Sequence, residues 1–174
     1  MSILVTAFEP FENRKTNRSL LLLDSLNLTI DKKVLPVDAI KIYSAFEKLS
    51  VNKYDIVIML GEANITNITL ELVAKNQLDM RIKDNGGNQY RNQPILRDMP
   101  LNLRTNLPID KLNLEQFDLS EDAGSFLCNM AYYLLLNEPG TCLKVFIHVP
   151  INHLDYKKIV EAFILEITKI SNLG

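Results

Sequence analysis

Residues 54–60 read YDIVIML and are followed by Gly61. An apolar run this short, rich in β-branched side chains and bounded by glycine, predicts a strand buried on both faces. Working outward, residues 3–8 (ILVTAF) and 143–149 (LKVFIHV) have the same character. Residues 33–38 (KVLPVD) predict a further strand, in which Pro36 is tolerated only at a sheet edge or a bulge. Helical patterns lie between these runs. Asn17-Arg18-Ser19 offers cap chemistry before a helix over 20–26, and a second helix covers roughly 40–50. Residues 120–124 (SEDAG) predict a helix start, with the helix running to about Asn137 and ending at Pro139-Gly140. The last helix carries Tyr156, Ile159, Val160, Phe163, Ile164, Ile167 and Ile170 as one stripe. Residues 66–78 are ambiguous, although Ile68, Leu70 and Leu72 alternate as a strand does. Residues 84–108 have loop chemistry, with a short strand expected around 101–107 and Pro108 opening a short helix. Strands alternating with helices predict one α/β domain over residues 1–174: three α/β/α layers around a mostly parallel, mixed sheet.

Composition narrows the function. The chain has 174 residues, 19 Lys+Arg against 21 Asp+Glu, and a net charge of -2, which argues against an electrostatic nucleic-acid binder, since that needs a concentrated basic surface. With 47% apolar residues it has enough to bury a core. Its longest apolar runs fall far short of the ~20 residues that span a bilayer, and the start MSILVTAFEPFENRK lacks the pattern of a secretion signal. Without such a signal, the sequons at Asn17, Asn27, Asn64 and Asn67 say nothing of glycosylation. Cys128 and Cys142 are too few for a disulfide scaffold or a four-cysteine zinc site. We expect two free thiols, a cytoplasmic protein, no membrane and no nucleic-acid partner.

Chemistry can be placed at three positions. His148 ends an apolar strand, where ligand sites of open α/β sheets collect, but position alone favours a satisfied histidine at the core edge. His153 falls in a loop and reads as a surface residue. Cys128 falls in the first turns of its helix, on the side of Tyr132 and Leu135. It is either a small buried hydrophobe or a thiolate favoured by a helix N-terminus, whose N–H groups also suit an oxyanion. Cys142 has no such setting and reads as structural. A Cys–His pair needs an orienting group, and Glu71 in the apolar string LELVA needs a partner. That partner is Arg81 or His148; spacing alone does not choose.

Four strings in order carry a resemblance: LVTAFEPF (residues 4–11), ITLELVAKNQLDMRIKDNGGNQ (68–89), AGSFLCN (123–129) with Tyr133, and FIHVP (146–150). The chain resembles the pyroglutamyl peptidase I family of cysteine peptidases, which remove an N-terminal pyroglutamyl residue from peptides. The resemblance implies a triad of Glu71, Cys128 and His148, with Arg81 polarising the substrate carbonyl. It further implies Phe8, Phe11, Asn17, Glu62 and Leu127 as the substrate pocket, no metal, no cofactor and a homo-oligomer. There are departures. The family string T-G-F-x-P-F-G-G reads Thr6-Ala7-Phe8-Glu9-Pro10-Phe11-Glu12-Asn13, losing three glycines, so a different loop path is expected. A neutral glutamine of the family is replaced by Glu62, expected to repel acidic substrates or to pair with Arg81. The chain is also shorter than typical members. Two other readings follow from these changes: a related thiol amidase for another small acyl or lactam group, and a non-catalytic peptide-binding protein on the same fold.

Overall fold

The central strand of the computed structural model is β3 (Ile56–Ala63), and its alternation divides the core in two. The structure describes residues 1–152 and 156–171, so the expectation for His153 lies outside the described residues. In chain order the other elements are β1 (Ile3–Phe8), α1 (Arg18–Ser25), β2 (Asp31–Leu35), α2 (Ala39–Glu47), β4 (Thr69–Glu71), β5 (Val73–Lys75), β6 (Asn102–Arg104), β7 (Asp118–Ser120), α3 (Leu127–Asn137), β8 (Leu143–Pro150) and α4 (Lys157–Ser171). The six-stranded sheet has the order β2-β1-β3-β8-β4-β7. Strands β2, β1, β3 and β8 are parallel, β4 runs antiparallel to β8, and β7 is parallel to β4. Strands β5 and β6 form a separate antiparallel pair.

Val57 and Met59 of β3 pack with Leu4 and Phe146 beneath α2 and α3. Ile56, Ile58 and Leu60 face the other way, with Val145 and Ile147, against α1 and α4. These are the three layers expected from the sequence, and period-2 alternation creates them because successive strand residues point to opposite faces. Each fully buried side chain of this size contributes about 1.5–3 kcal/mol. The stripe on α4 is buried at Val160, Phe163, Ile164 and Ile167. Among the described residues, no helix is long and apolar enough to cross a membrane.

Several boundaries differ from the sequence expectation. The edge strand β2 starts at Asp31 and ends at Leu35, leaving Pro36 outside the ladder it would break. Strand β3 does not close at Gly61 but continues to Ala63. The ambiguous 66–78 segment is two strands, because Leu72 changes partners: its N–H donates to Ser120 O and its carbonyl accepts from Thr105 N. Residues 118–120 are a short strand, and α3 begins only at Leu127. Gly124, at φ 83°, holds a left-handed turn that no right-handed helix can include.

Candidate active site

Strand register brings the titratable groups together. On β8, His148 lies opposite Gly61 of β3 and Thr69 of β4, and Phe146 lies opposite Glu71. Glu71 is thus the diagonal neighbour of His148 on the same face, within reach of a long side chain. Glu71 Oε1 lies 2.7 Å from His148 Nδ1, and both residues are buried. An ionised carboxylate only accepts, so the contact assigns the proton to Nδ1 and leaves Nε2 as the basic nitrogen. Phe146 meets the imidazole edge-on, with ring centroids 4.8 Å apart. The sequence left Arg81 and His148 open as the partner of Glu71, and the carboxylate faces His148.

Cys128 is the second residue of α3. Four residues on, Tyr132 packs on Phe146 and donates to the Glu71 carbonyl at 2.9 Å, which fixes this side of the helix against the sheet. Cys128 Sγ lies over Gly61: a Cβ built there would come within 3.1 Å of the sulfur and 2.6 Å of Phe146 Cζ. A glycine inside a strand marks such a close approach, and this one makes room for the thiol. The N-cap, Phe126, supplies no side-chain acceptor to the first turn of α3. The thiol is pushed up to about 12, first by burial and then by the carboxylates of Glu62 and Glu71, with its own backbone N–H acting the other way. Burial is the largest of these influences, and it favours the neutral S–H over the thiolate.

Cys128, His148 and Glu71 line one cavity of about 520 Å³ at the carboxyl ends of β1, β3 and β8. Phe8, Phe11, Asn17, Glu62 and Leu127 line it too. Phe8 packs toward Phe146 at 6.3 Å between centroids, and Phe11 toward Phe126 at 6.1 Å. Asn17 is the N-cap of α1: its Oδ1 accepts from Ser19 N at 2.9 Å, and its Nδ2 donates to Glu9 O at 3.2 Å. Glu62 accepts from Arg18 N at 2.7 Å and pairs with Arg14, not with Arg81.

Arg81 itself is exposed and does not line the cavity, whereas the preceding Met80 is fully buried. The structure therefore brings together every sequence-expected site residue except Arg81. Sequence reasoning missed Arg14, Gly61 and Phe126. Gly61 carried a signal, a glycine in an apolar strand; the other two carried none that a single chain displays.

The sequence profile of the pyroglutamyl peptidase family matches residues 1–162. This chain belongs to the pyroglutamyl peptidase family. It is 34% identical over 168 residues to the pyrrolidone-carboxylate peptidase of Coprothermobacter proteolyticus, covering 85% of this chain and 80% of that one. The Staphylococcus aureus enzyme of the same name is 38% identical over 148 residues, covering 78% of this chain and 70% of the relative. Two crystal structures share the fold along nearly the whole chain. The pyrrolidone carboxyl peptidase of Thermus thermophilus matches with TM-score 0.77 and 31% identity, covering 97% of this chain and 96% of the other. Pyroglutamyl peptidase I of Bacillus amyloliquefaciens matches with TM-score 0.81 and 27% identity, covering 98% and 95%. Membership in the pyroglutamyl peptidase family agrees with the mixed, mostly parallel sheet and identifies the chain with a cysteine-type exopeptidase family.

Proposed function

We propose that this chain hydrolyses the amide bond after an N-terminal pyroglutamyl residue, with Cys128 as nucleophile, His148 as base and then acid, and Glu71 as the group that orients His148. The observation that carries this is the 2.7 Å contact of Glu71 Oε1 with His148 Nδ1, in the cavity that also holds Cys128. Because its surroundings favour the neutral thiol, the sulfur needs a base in the reaction. His148 Nε2 takes the Sγ proton as sulfur attacks the pyroglutamyl carbonyl carbon. The oxygen gains the negative charge and is held by N–H groups at the start of α3. When the tetrahedral species collapses, the C–N bond breaks and His148 returns its proton to the leaving amine. A water then adds to the thioester with His148 again as base, releasing pyroglutamic acid and the thiol. Proton transfer of this kind contributes about 10²–10⁴-fold to the rate.

The pocket supports the substrate. A lactam ring is flat and neutral, and Phe8, Phe11, Phe126 and Leu127 supply an apolar wall. The Glu62 carboxylate is engaged by Arg14 and Arg18 N, which weakens the reading of a changed substrate. Two free cysteines suit a reducing compartment, in keeping with a cytoplasmic enzyme. The test is release of aminomethylcoumarin from its pyroglutamyl derivative beside Cys128→Ala. Turnover that disappears in the variant supports the reaction and the nucleophile. A folded protein with no turnover sinks both.

A further inference from the structure

The loop after β1 departs from its family in a way the structure explains. Phe11 and Arg14 close a tight turn, with Arg14 N donating to Phe11 O at 3.1 Å. The two central residues, Glu12 and Asn13, have φ of 55° and 59°. Glycine adopts that left-handed region freely, and the related family string carries glycines at both places; a glutamate there is strained. The loop therefore keeps a glycine-type turn without the glycines, and something must hold it.

Arg14 is placed to do so. Its guanidinium carbon lies 4.4 Å from the centroid of the Phe11 ring, and its Nη2 pairs with Glu62 Oε1. The other Glu62 oxygen accepts from Arg18 N, at the start of α1, so this carboxylate ties the loop to both β3 and α1. The Phe11 ring also packs toward Phe126, two residues before Cys128, at 6.1 Å between centroids. Phe11 thus contacts both a stacked guanidinium and the N-cap residue of the helix that carries Cys128. A planar, permanently charged group can stack and ion-pair at once, which an ammonium cannot do as well.

We infer that Arg14, anchored by Glu62, is a positioning residue that fixes Phe11 as the wall of the acyl pocket and thereby sets affinity for the lactam. This rests on the proposed pyroglutamyl reaction. Arg14 touches no reacting atom, so its loss acts on substrate binding more than on the chemical step.

The test is steady-state hydrolysis of pyroglutamyl-aminomethylcoumarin by wild type, Arg14→Met, Arg14→Lys and the double variant Arg14→Met/Glu62→Gln. The double variant guards against an unpaired buried carboxylate unfolding the protein. Expected is a rise in KM of about tenfold for Arg14→Met with kcat within about threefold, a smaller rise for Arg14→Lys, and no recovery of KM in the double variant. KM unchanged in Arg14→Met, or restored by removing both charges, overturns the inference; so does a fall in kcat alone. If wild type has no turnover, the reaction itself fails, and the clamp is judged by whether 2-pyrrolidone protects Cys128 from iodoacetamide at pH 9. Protection seen in wild type and lost in Arg14→Met supports it. Equal protection in both, or none in wild type, overturns it.

Discussion

Glu71 and His148 meet across a diagonal of the sheet: each pairs in register with a different residue, yet Glu71 Oε1 and His148 Nδ1 are 2.7 Å apart. The imidazole is therefore oriented by strand register rather than by a flexible loop. Replacing Glu71 with Gln keeps the shape but lets an amide face Nδ1 and removes the charge that stabilises an imidazolium. We expect kcat to fall by about 10²-fold or more with KM little changed, measured with pyroglutamyl-aminomethylcoumarin.

The raised thiol gives a pH signature with a definite sign. A thiol shifted from 9.0 to about 12 is neutral through the physiological range, so alkylation of the resting protein keeps climbing above pH 9. Mass-spectrometric labelling of the Cys128 peptide measures this; a plateau by pH 9 would contradict it. The folded state prefers the protonated form, so this contribution to stability is full below pH 9 and is lost as pH rises toward 12. Urea unfolding of Cys128→Ala should show a shallower loss over that window than wild type.

Gly61 tests how tightly the proposed nucleophile, Cys128, is seated. A methyl group there meets Phe146 Cζ at 2.6 Å and Cys128 Sγ at 3.1 Å. Gly61→Ala should lower kcat by about 10²-fold through displacement of the sulfur and destabilise the fold by about 1–3 kcal/mol. Activity and chemical denaturation read the two effects separately.

The strain at Glu12 is measurable by relieving it. At φ 55°, Glu12→Gly should stabilise the protein by about 1 kcal/mol, since glycine carries no Cβ penalty in this region. Thermal unfolding that shifts downward would show the turn to be unstrained.

Charge along the cavity predicts a preference in the departing peptide. Asp118 and Asp122 line the wall formed by β7 and the segment after it, and among the described lining residues there is no Lys or Arg. Lys75, 2.7 Å from Asp122, holds that carboxyl below its ordinary range, so it stays ionised. Peptides with a lysine after the pyroglutamyl residue should be cleaved with several-fold higher kcat/KM than those with an aspartate. The ratio should shrink as salt screens the field. Equal rates at low salt would contradict the argument.

Much of this was legible in the chain because period-2 and period-3.6 patterns record burial directly. The strand at 54–60 and the stripe on α4 both report which faces are covered. The short strand Asn102–Arg104 and the helical turn after Pro108 fall where loop chemistry placed them, but Asp118–Ser120 was not legible: it has no apolar alternation, and Ser120 read as part of a helix start. Cys128, His148 and Glu71 were nameable as candidates, but their convergence depends on register, which one sequence does not display. Arg81 illustrates the converse. A string match located the arginine, while the local backbone buries its neighbour Met80 and leaves Arg81 exposed.

Strand β8 has a parallel neighbour on one side and an antiparallel one on the other, and Glu71 enters from the antiparallel side. A slip of β4 by one residue would turn Glu71 away from His148 and onto the face where Leu70 packs with Ile147 beneath α4. There its carboxylate would be stranded in hydrocarbon, a loss of several kcal/mol. The carboxylate that faces His148 thus also sets a penalty on the wrong register of this strand.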